Sequence, residues 1–193
     1  GPEELYSTLF GAGAEGDADA GGVLSYNYVS GEHQTGVPSG RPLLVREQEA
    51  RFTLENFMRS QLYGAFGALA VGMEALLKDE GVQLDVMYAH GGIFRTTGIA
   101  QQVLADALAT PVAVGESAGE GGAWGMALPA AHTARTRDGA QDPLNTFLAE
   151  EIFASQELST LSPEETGMAG HAQWLSGYRT GLQVERLAGE LLD

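Results

Sequence analysis

Between Leu84 and His132 the sequence passes twice through the same order, a short β-rich run followed by a helical period, and each run ends in glycines. Leu84 to Ala89 reads as a short buried strand closed by Gly91 and Gly92, and a helix is predicted from about Thr97 to Ala109. Pro111 to Val114 reads as a second strand, Gly115 to Gly122 as a glycine-rich turn, and Ala123 to His132 as a helix packed through small residues. A strand, helix, strand, helix order predicts parallel pairing in an α/β layer, because a parallel pair needs a long crossover that a helix usually fills. Ligands of such layers bind where loops leave the carboxyl ends of the strands, and both glycine turns lie there.

The rest of the chain is organised around one long helix. Leu54, Phe57, Met58, Leu62, Phe66, Leu69, Met73 and Leu77 repeat at three-to-four spacing, so a helix capped at Thr53 is predicted to run to Lys78 and stop at Gly81. Gly64, Ala65, Gly67, Ala68 and Gly72 lie inside it, and since a helical glycine costs about 1 kcal/mol, they predict another backbone packed closely against the helix. Upstream, Leu5 to Phe10 is read as the tail of a helix, Gly11 to Gly22 as a loop, Leu24 to Val29 as β-rich, and Gly31 to Pro42 as turns. Downstream, Thr136 to Pro143 is read as a polar linker, Leu144 to Phe153 as a short helix and Ser159 to Gly167 as a loop. A closing helix from Gly170 to Leu192 carries Trp174, Leu175, Tyr178, Leu182, Leu187 and Leu191.

At 193 residues and 44% apolar content, one domain spanning residues 1–193 is expected. The formal charge of −16 repels a phosphate backbone, which argues against nucleic acid as a partner. There is no long apolar run and no signal-peptide pattern, so the expectation is a cytoplasmic protein with no membrane partner. The absence of cysteine removes disulfides, thiolate metal ligands and cysteine nucleophiles together. Gly1 and Pro2 open the chain as a processing protease would leave them, which suggests a piece of a longer protein.

Three motifs carry weaker signals. Gly11, Gly13 and Gly16 have dinucleotide-loop spacing, but no strand precedes them and Glu15, Asp17 and Asp19 would repel a pyrophosphate, so a plain loop is expected. Asp17 and Asp19 resemble the start of a calcium loop that lacks its further carboxylates, with Gly21 and Tyr28 in their places. Gly115, Glu116, Ser117, Ala118 and Gly119 fit a nucleophile elbow, and His90, Gly91 and Gly92 resemble an oxyanion-hole loop. A serine esterase would use Ser117 as nucleophile, His171 or His132 as base, and Asp138 or Asp142 to orient it. Its two motifs stand 25 residues apart, too few for the strands and helices that separate them in an α/β-hydrolase.

The segment MYAHGGIFRTTGIAQQVLAD, from Met87 to Asp106, carries the most specific likeness. Its strand ending in a glycine pair, small polar residue, helix with an alanine-aspartate pair and proline-started strand resemble the adenosine-binding segment of the FGGY carbohydrate kinase family. Pro111, Glu116 and the run from Gly121 to Ala127 resemble that family's next block. LSYNYVSGE, from Leu24 to Glu32, and FMRSQLYGAFGAL, within the long helix, are similar to two upstream blocks. The resemblance covers most of the chain and leans to the branch of xylulose and ribulose kinases.

It implies an actin-like ATPase fold of ribonuclease H type, a parallel or mixed sheet flanked by helices, forming the carboxy-terminal half of a sugar kinase. It further implies ATP with Mg2+ as cofactors, and a sugar, such as the ketopentose xylulose, bound through an amino-terminal domain that would also supply the catalytic aspartate. Gly91 and Gly92 would receive the adenosine and α-phosphate on bare backbone, Thr97 or Thr96 would meet base or ribose, and Ile93 and Phe94 would add apolar contact. Gly64 would permit close packing beside the nucleotide, while Tyr63 stands where relatives often carry glutamate, which puts any role of that carboxylate in doubt. No catalytic residue and no metal ligand is assigned within the chain. Arg95 is read as a solvated loop residue, and His90 as a structural hydrogen-bonding group at the strand end. A homo-oligomer is compatible with the sequence, and a non-catalytic interaction domain that keeps a kinase fold is a further alternative.

Overall fold

The computed structural model describes residues 1–115, 118–154 and 156–192. The amino-terminal part consists of helix α1 (Pro2–Ala14), strands β1 (Val23–Tyr26) and β2 (Leu43–Arg46), and helix α2 (Leu54–Glu74). Helix α1 reaches past Phe10 into the stretch expected to be loop, because it packs on α2. There the Arg59 guanidinium donates to the carbonyls of Gly13 (3.0 Å) and Ala14 (2.7 Å), groups that a helix carboxyl end otherwise leaves unpaired. The dinucleotide spacing of Gly11 and Gly13 is therefore a helical feature. Asp17, in the supposed calcium loop, accepts from Arg51 and Asn56, which hold its carboxyl below the usual range.

Helix α2 starts where the sequence predicts, with the Thr53 hydroxyl accepting the Asn56 N–H. It continues as a π-helical turn over Ala75–Asp79 and stops at Gly81, whose φ is +65°. Of its small residues, Gly64 does meet another backbone, with the Ser25 carbonyl oxygen 2.6 Å from where a Cβ would stand. Gly67 instead accommodates the Tyr178 ring. Strand β1 is four residues long and pairs antiparallel with β2, a strand the sequence reading left unassigned.

The second half supplies strand β3 (Met87–Tyr88), helix α3 (Ile99–Leu108), strand β4 (Val112–Gly115), helices α4 (Gly121–Arg137) and α5 (Leu144–Phe147), strand β5 (Leu158–Leu161) and helix α6 (Glu165–Leu191). Strands β3 and β4 are parallel, as the strand-helix order requires. Strand β5 then adds antiparallel to the other edge of β4, which makes the sheet mixed, in the order β3-β4-β5. This corrects the loop expected from Ser159 to Gly167: its first residues form β5 and its last belong to α6. Strand β3 is shorter than expected, and Tyr88 is 59% exposed because the strand lies at the sheet edge. Helix α4 extends to Arg137, which shortens the expected linker. Helix α5 passes into a π-helical turn over Leu148–Ile152 and so fills the predicted span.

The core lies between α2, α3, α6 and β1. Tyr26, Tyr178 and Trp174 stack in series, with successive ring centroids 4.8 Å apart, and the Trp174 indole N–H donates to Val23 O at 3.0 Å. The Tyr26 hydroxyl donates to Tyr178 O, so the polar atoms of these rings stay satisfied in the interior. Leu187 and Leu191, expected on the buried face of the closing helix, are 52% and 71% exposed because they lie off the stripe of Tyr178, Leu182 and Glu185 that α6 buries. No helix among the described residues is long and apolar enough to cross a membrane.

Candidate nucleotide site

The site begins where β3 ends. The ladder makes one bond beyond Tyr88, from Ala89 N–H to Ala113 O (2.9 Å), and the chain then turns at Gly91 with φ +134° and ψ 161°. A side chain would strain that conformation. The Gly91 N–H donates to Ala118 O at 2.8 Å, Gly92–Arg95 form a 3-10 turn, and Gly98, with φ +82°, leads into α3. No side chain caps the amino end of α3, so its first-turn N–H groups are left for solvent or an anion.

Six of the seven predicted contact residues share this loop. Among the described residues, a Cβ built on Gly91 or Gly92 would meet nothing within 4 Å, so the main chain faces open space at both. Thr97 is exposed and Thr96 half-buried beside them. Ile93 and Phe94 turn inward to pack on the core, and the Phe94 ring stacks on Phe66 with centroids 6.1 Å apart. Gly64 faces β1 instead, where a Cβ would also lie 2.9 Å from Asn27 Nδ2. Tyr63 is a core residue: its hydroxyl donates to Ala18 O (2.7 Å) and its ring meets His171 and Trp174 edge-on.

The second loop leaves β4 at Gly115. Glu116 and Ser117 lie outside the described residues, and Ala118–Glu120 form a 3-10 turn before α4. The two loops press together. A Cβ on Gly121 would stand 2.8 Å from His90 Cβ, and one on Gly119 would stand 2.8 Å from Arg95 Cγ. Arg95, expected to be solvated, forms an ion pair with Glu120 across the loops. His90 rests against Gly121, and its ring makes no hydrogen bond among the described residues. Gly122 and Gly125, in the first turns of α4, are exposed, and a Cβ on either would meet nothing within 4 Å among the described residues. The inter-loop contacts Gly91 to Ala118 and Arg95 to Glu120 escaped sequence reasoning, because nothing in residue spacing marks which carbonyl or carboxylate another loop will meet.

Two shallow cavities lie elsewhere, against α6. One of about 590 Å³ is bordered by Asp17, Asp19, Arg51 and Glu165, and one of about 560 Å³ by Leu24, Glu47, Ser176 and Thr180. The first carries three carboxylates and one guanidinium, an unfavourable surround for a phosphate. No group of three His, Asp or Glu residues that would hold a metal occurs among the described residues.

The esterase constellation is not assembled among the described residues. Ser117 lies outside them, His132 Nε2 pairs with the Asp142 backbone carbonyl (2.9 Å), and the Asp142 carboxylate takes Arg135. Asp138 caps the end of α4. His171 is buried against Tyr63 and Trp174, where burial pushes its pKa down to about 4 and its Nε2 has no partner among the described residues.

Over residues 2–134 the sequence matches the profile of the FGGY family of carbohydrate kinases, C-terminal domain. The chain belongs to this family.

Solved structures agree on the fold of this FGGY domain. The xylulose kinase of Rhodospirillum rubrum superposes with a TM-score of 0.69 at 19% identity, covering 94% of this chain and 34% of that one. The ligand-bound xylulose kinase of Lactobacillus acidophilus gives 0.72 at 15% identity, covering 96% and 36%. The glycerol kinase of Plasmodium falciparum with ADP gives 0.65 at 16% identity, covering 96% and 34%. The chain thus spans about a third of the length of these enzymes. No curated protein matches the sequence. The fold is that of the carboxy-terminal domain of actin-like ATPase sugar kinases, a mixed sheet flanked by helices. In this FGGY domain the family-like segment from Met87 to Asp106 is β3, the glycine loop and most of α3, while Leu24 to Glu32 is β1 with the turn that follows it.

Proposed function

We propose that this domain binds the adenine nucleotide of an ATP-dependent carbohydrate kinase, on the loop from Gly91 to Thr97 with the turn at Ala118–Glu120 beside it. The carrying observation is that Gly91 and Gly92 offer bare main chain to open space at the carboxyl end of a parallel strand pair. A nucleoside and its α-phosphate approach such backbone without meeting a Cβ, and the uncapped start of α3 favours negative charge nearby. The residues present therefore fit the nucleotide. Among the described residues there is no carboxylate cluster for Mg2+, so in this reading the metal arrives on the phosphates and no step is assigned to it here.

When bound, ATP supplies the phosphoryl group that passes to a sugar hydroxyl. The chain's own part is to bind and orient: Gly91 and Gly92 set the approach, Thr96 or Thr97 meets ribose or base, and Phe94, anchored on Phe66, stiffens the turn. The acceptor we propose is a ketopentose such as xylulose, following the sequence resemblance and the xylulose kinases among the structural matches; glycerol and gluconate kinases share the same fold. Since the chain spans about a third of such enzymes, the base and the sugar pocket are proposed to lie in another domain.

Isothermal titration with MgATP tests this reading. Saturable binding by the chain, abolished by Gly92→Val without loss of the unfolding transition, is the expected result. Equal affinity in the variant would remove the glycine pair from the site, and sugar-dependent ATP consumption by the chain alone would refute the placement of the base elsewhere.

A further inference from the structure

The two loops of the site press together, but their polar contacts among the described residues are few. Gly91 N–H donates to Ala118 O, and the exposed Arg95 pairs with Glu120 and reaches Gly119 O (3.5 Å), and exposed pairs contribute little. Their relative placement therefore also depends on the elements that carry them, helix α3 and the four-residue strand β4. A single buried side chain joins those elements by hydrogen bonds among the described residues. Gln101, in the first turn of α3 and 2% exposed, donates through Nε2 to Val112 O on β4 (2.8 Å) and to Ser159 O on β5 (2.8 Å).

We infer that Gln101 is a positioning residue for the nucleotide site, holding the start of α3 at a set distance from β4. This rests on the nucleotide reading proposed above. The side-chain amide has two N–H donors, and each carbonyl has a second lone pair beyond its ladder bond, so one group spans two strands without displacing their pairing. The neighbouring Gln102 separates this role from general support of the helix. Its Nε2 donates to Asp106 Oδ1 (2.9 Å) and Ser162 O (3.0 Å), and Asp106 in turn accepts the Glu164 N–H (2.8 Å). That network fastens α3 to the start of α6, away from the loops. Adjacent glutamines thus face different tasks.

The test uses the full chain with two readouts: amide exchange of Gly91, followed by NMR, and titration with MgADP. Gln101→Met keeps the length and removes both donors. It should speed Gly91 exchange about tenfold and weaken MgADP about tenfold, while unfolding stays cooperative. Gln102→Met should leave both within about twofold. If Gln101→Met does not fold, Gln101→Asn, with the same amide on a shorter stem, should speed Gly91 exchange by about threefold or more. Unchanged Gly91 exchange in a folded Gln101 variant overturns the inference whatever the wild type binds. Equal effects from the Gln102 variant overturn it too, since support of the helix alone would then suffice. Absence of MgADP binding by the wild type sinks the nucleotide reading instead, and Gly91 exchange still decides the role of Gln101 in joining the loops.

Discussion

His171 is expected to make the protein acid-labile by an amount that the structure bounds. The side chain is 2% exposed, its Nε2 has no partner among the described residues, and its ring packs on those of Tyr63 and Trp174. Burial lowers its pKa from 6.5 to about 4, because the charged imidazolium would lose its water. A base whose folded pKa is depressed is protonated more readily when unfolded. The stability it permits is therefore full above pH 6.5 and drains as the pH falls toward 4. For these two values the linkage relation gives a loss of about 2 kcal/mol at pH 5 and about 3 kcal/mol at pH 4 and below. Other groups also make stability depend on pH. Asp106 and Glu185 have carboxyls raised chiefly by burial and so shift stability the opposite way, while Asp17 is held low by Asn56 and Arg51. They are common to wild type and His171→Phe, which keeps a ring against Tyr63 and Trp174, so their contributions cancel in the difference. Urea unfolding of both proteins at pH 7.5, 6 and 5 is the assay. The wild type should lose about 2 kcal/mol more than the variant between the first and last pH. Parallel losses would show that His171 protonates without penalty and is not enclosed as described.

Gly64→Ala should destabilise by about 1–3 kcal/mol in denaturant unfolding despite the better helix former, because the new Cβ would stand 2.6 Å from the Ser25 carbonyl oxygen. Gly91→Ala should cost about 1–3 kcal/mol through its φ of +134°, whereas Gly92→Ala, with open space and no positive φ, should leave thermal unfolding unchanged and still weaken MgATP in a titration. Arg59→Met should loosen α1 by about 1–2 kcal/mol through loss of its bonds to the Gly13 and Ala14 carbonyls, read as faster amide exchange confined to α1.

What the sequence discloses here follows the range of the interactions involved. Helix α2 was legible because its apolar period, its Thr53 cap and its Gly81 stop are all local, and the same holds for α3 and β4. Strand β5 was not, since Leu158–Leu161 is mostly exposed and becomes a strand through pairing with β4 some 45 residues earlier. The end of α1 escaped for a similar reason: Gly11 and Gly13 read as breakers, and Arg59 on another helix is what extends the helix over them. Within the site, the glycine pair was visible from its place after a strand, and the likeness to FGGY kinases directed attention to it. The inward turn of Ile93 and Phe94, the separation of Gly64 from the loop, and the Gln101 clamp depend on which elements meet, and no spacing rule carries that information.

The account stands on one surface receiving an adenine nucleotide. Hydrogen exchange over the whole chain, with and without saturating MgADP, measures it most directly. Protection should concentrate at residues 91–98 and 118–122, with the helices α1 and α6 unchanged. Protection confined to the cavities beside α6, near Asp19 or Ser176, or none at any ligand concentration, would contradict the assignment.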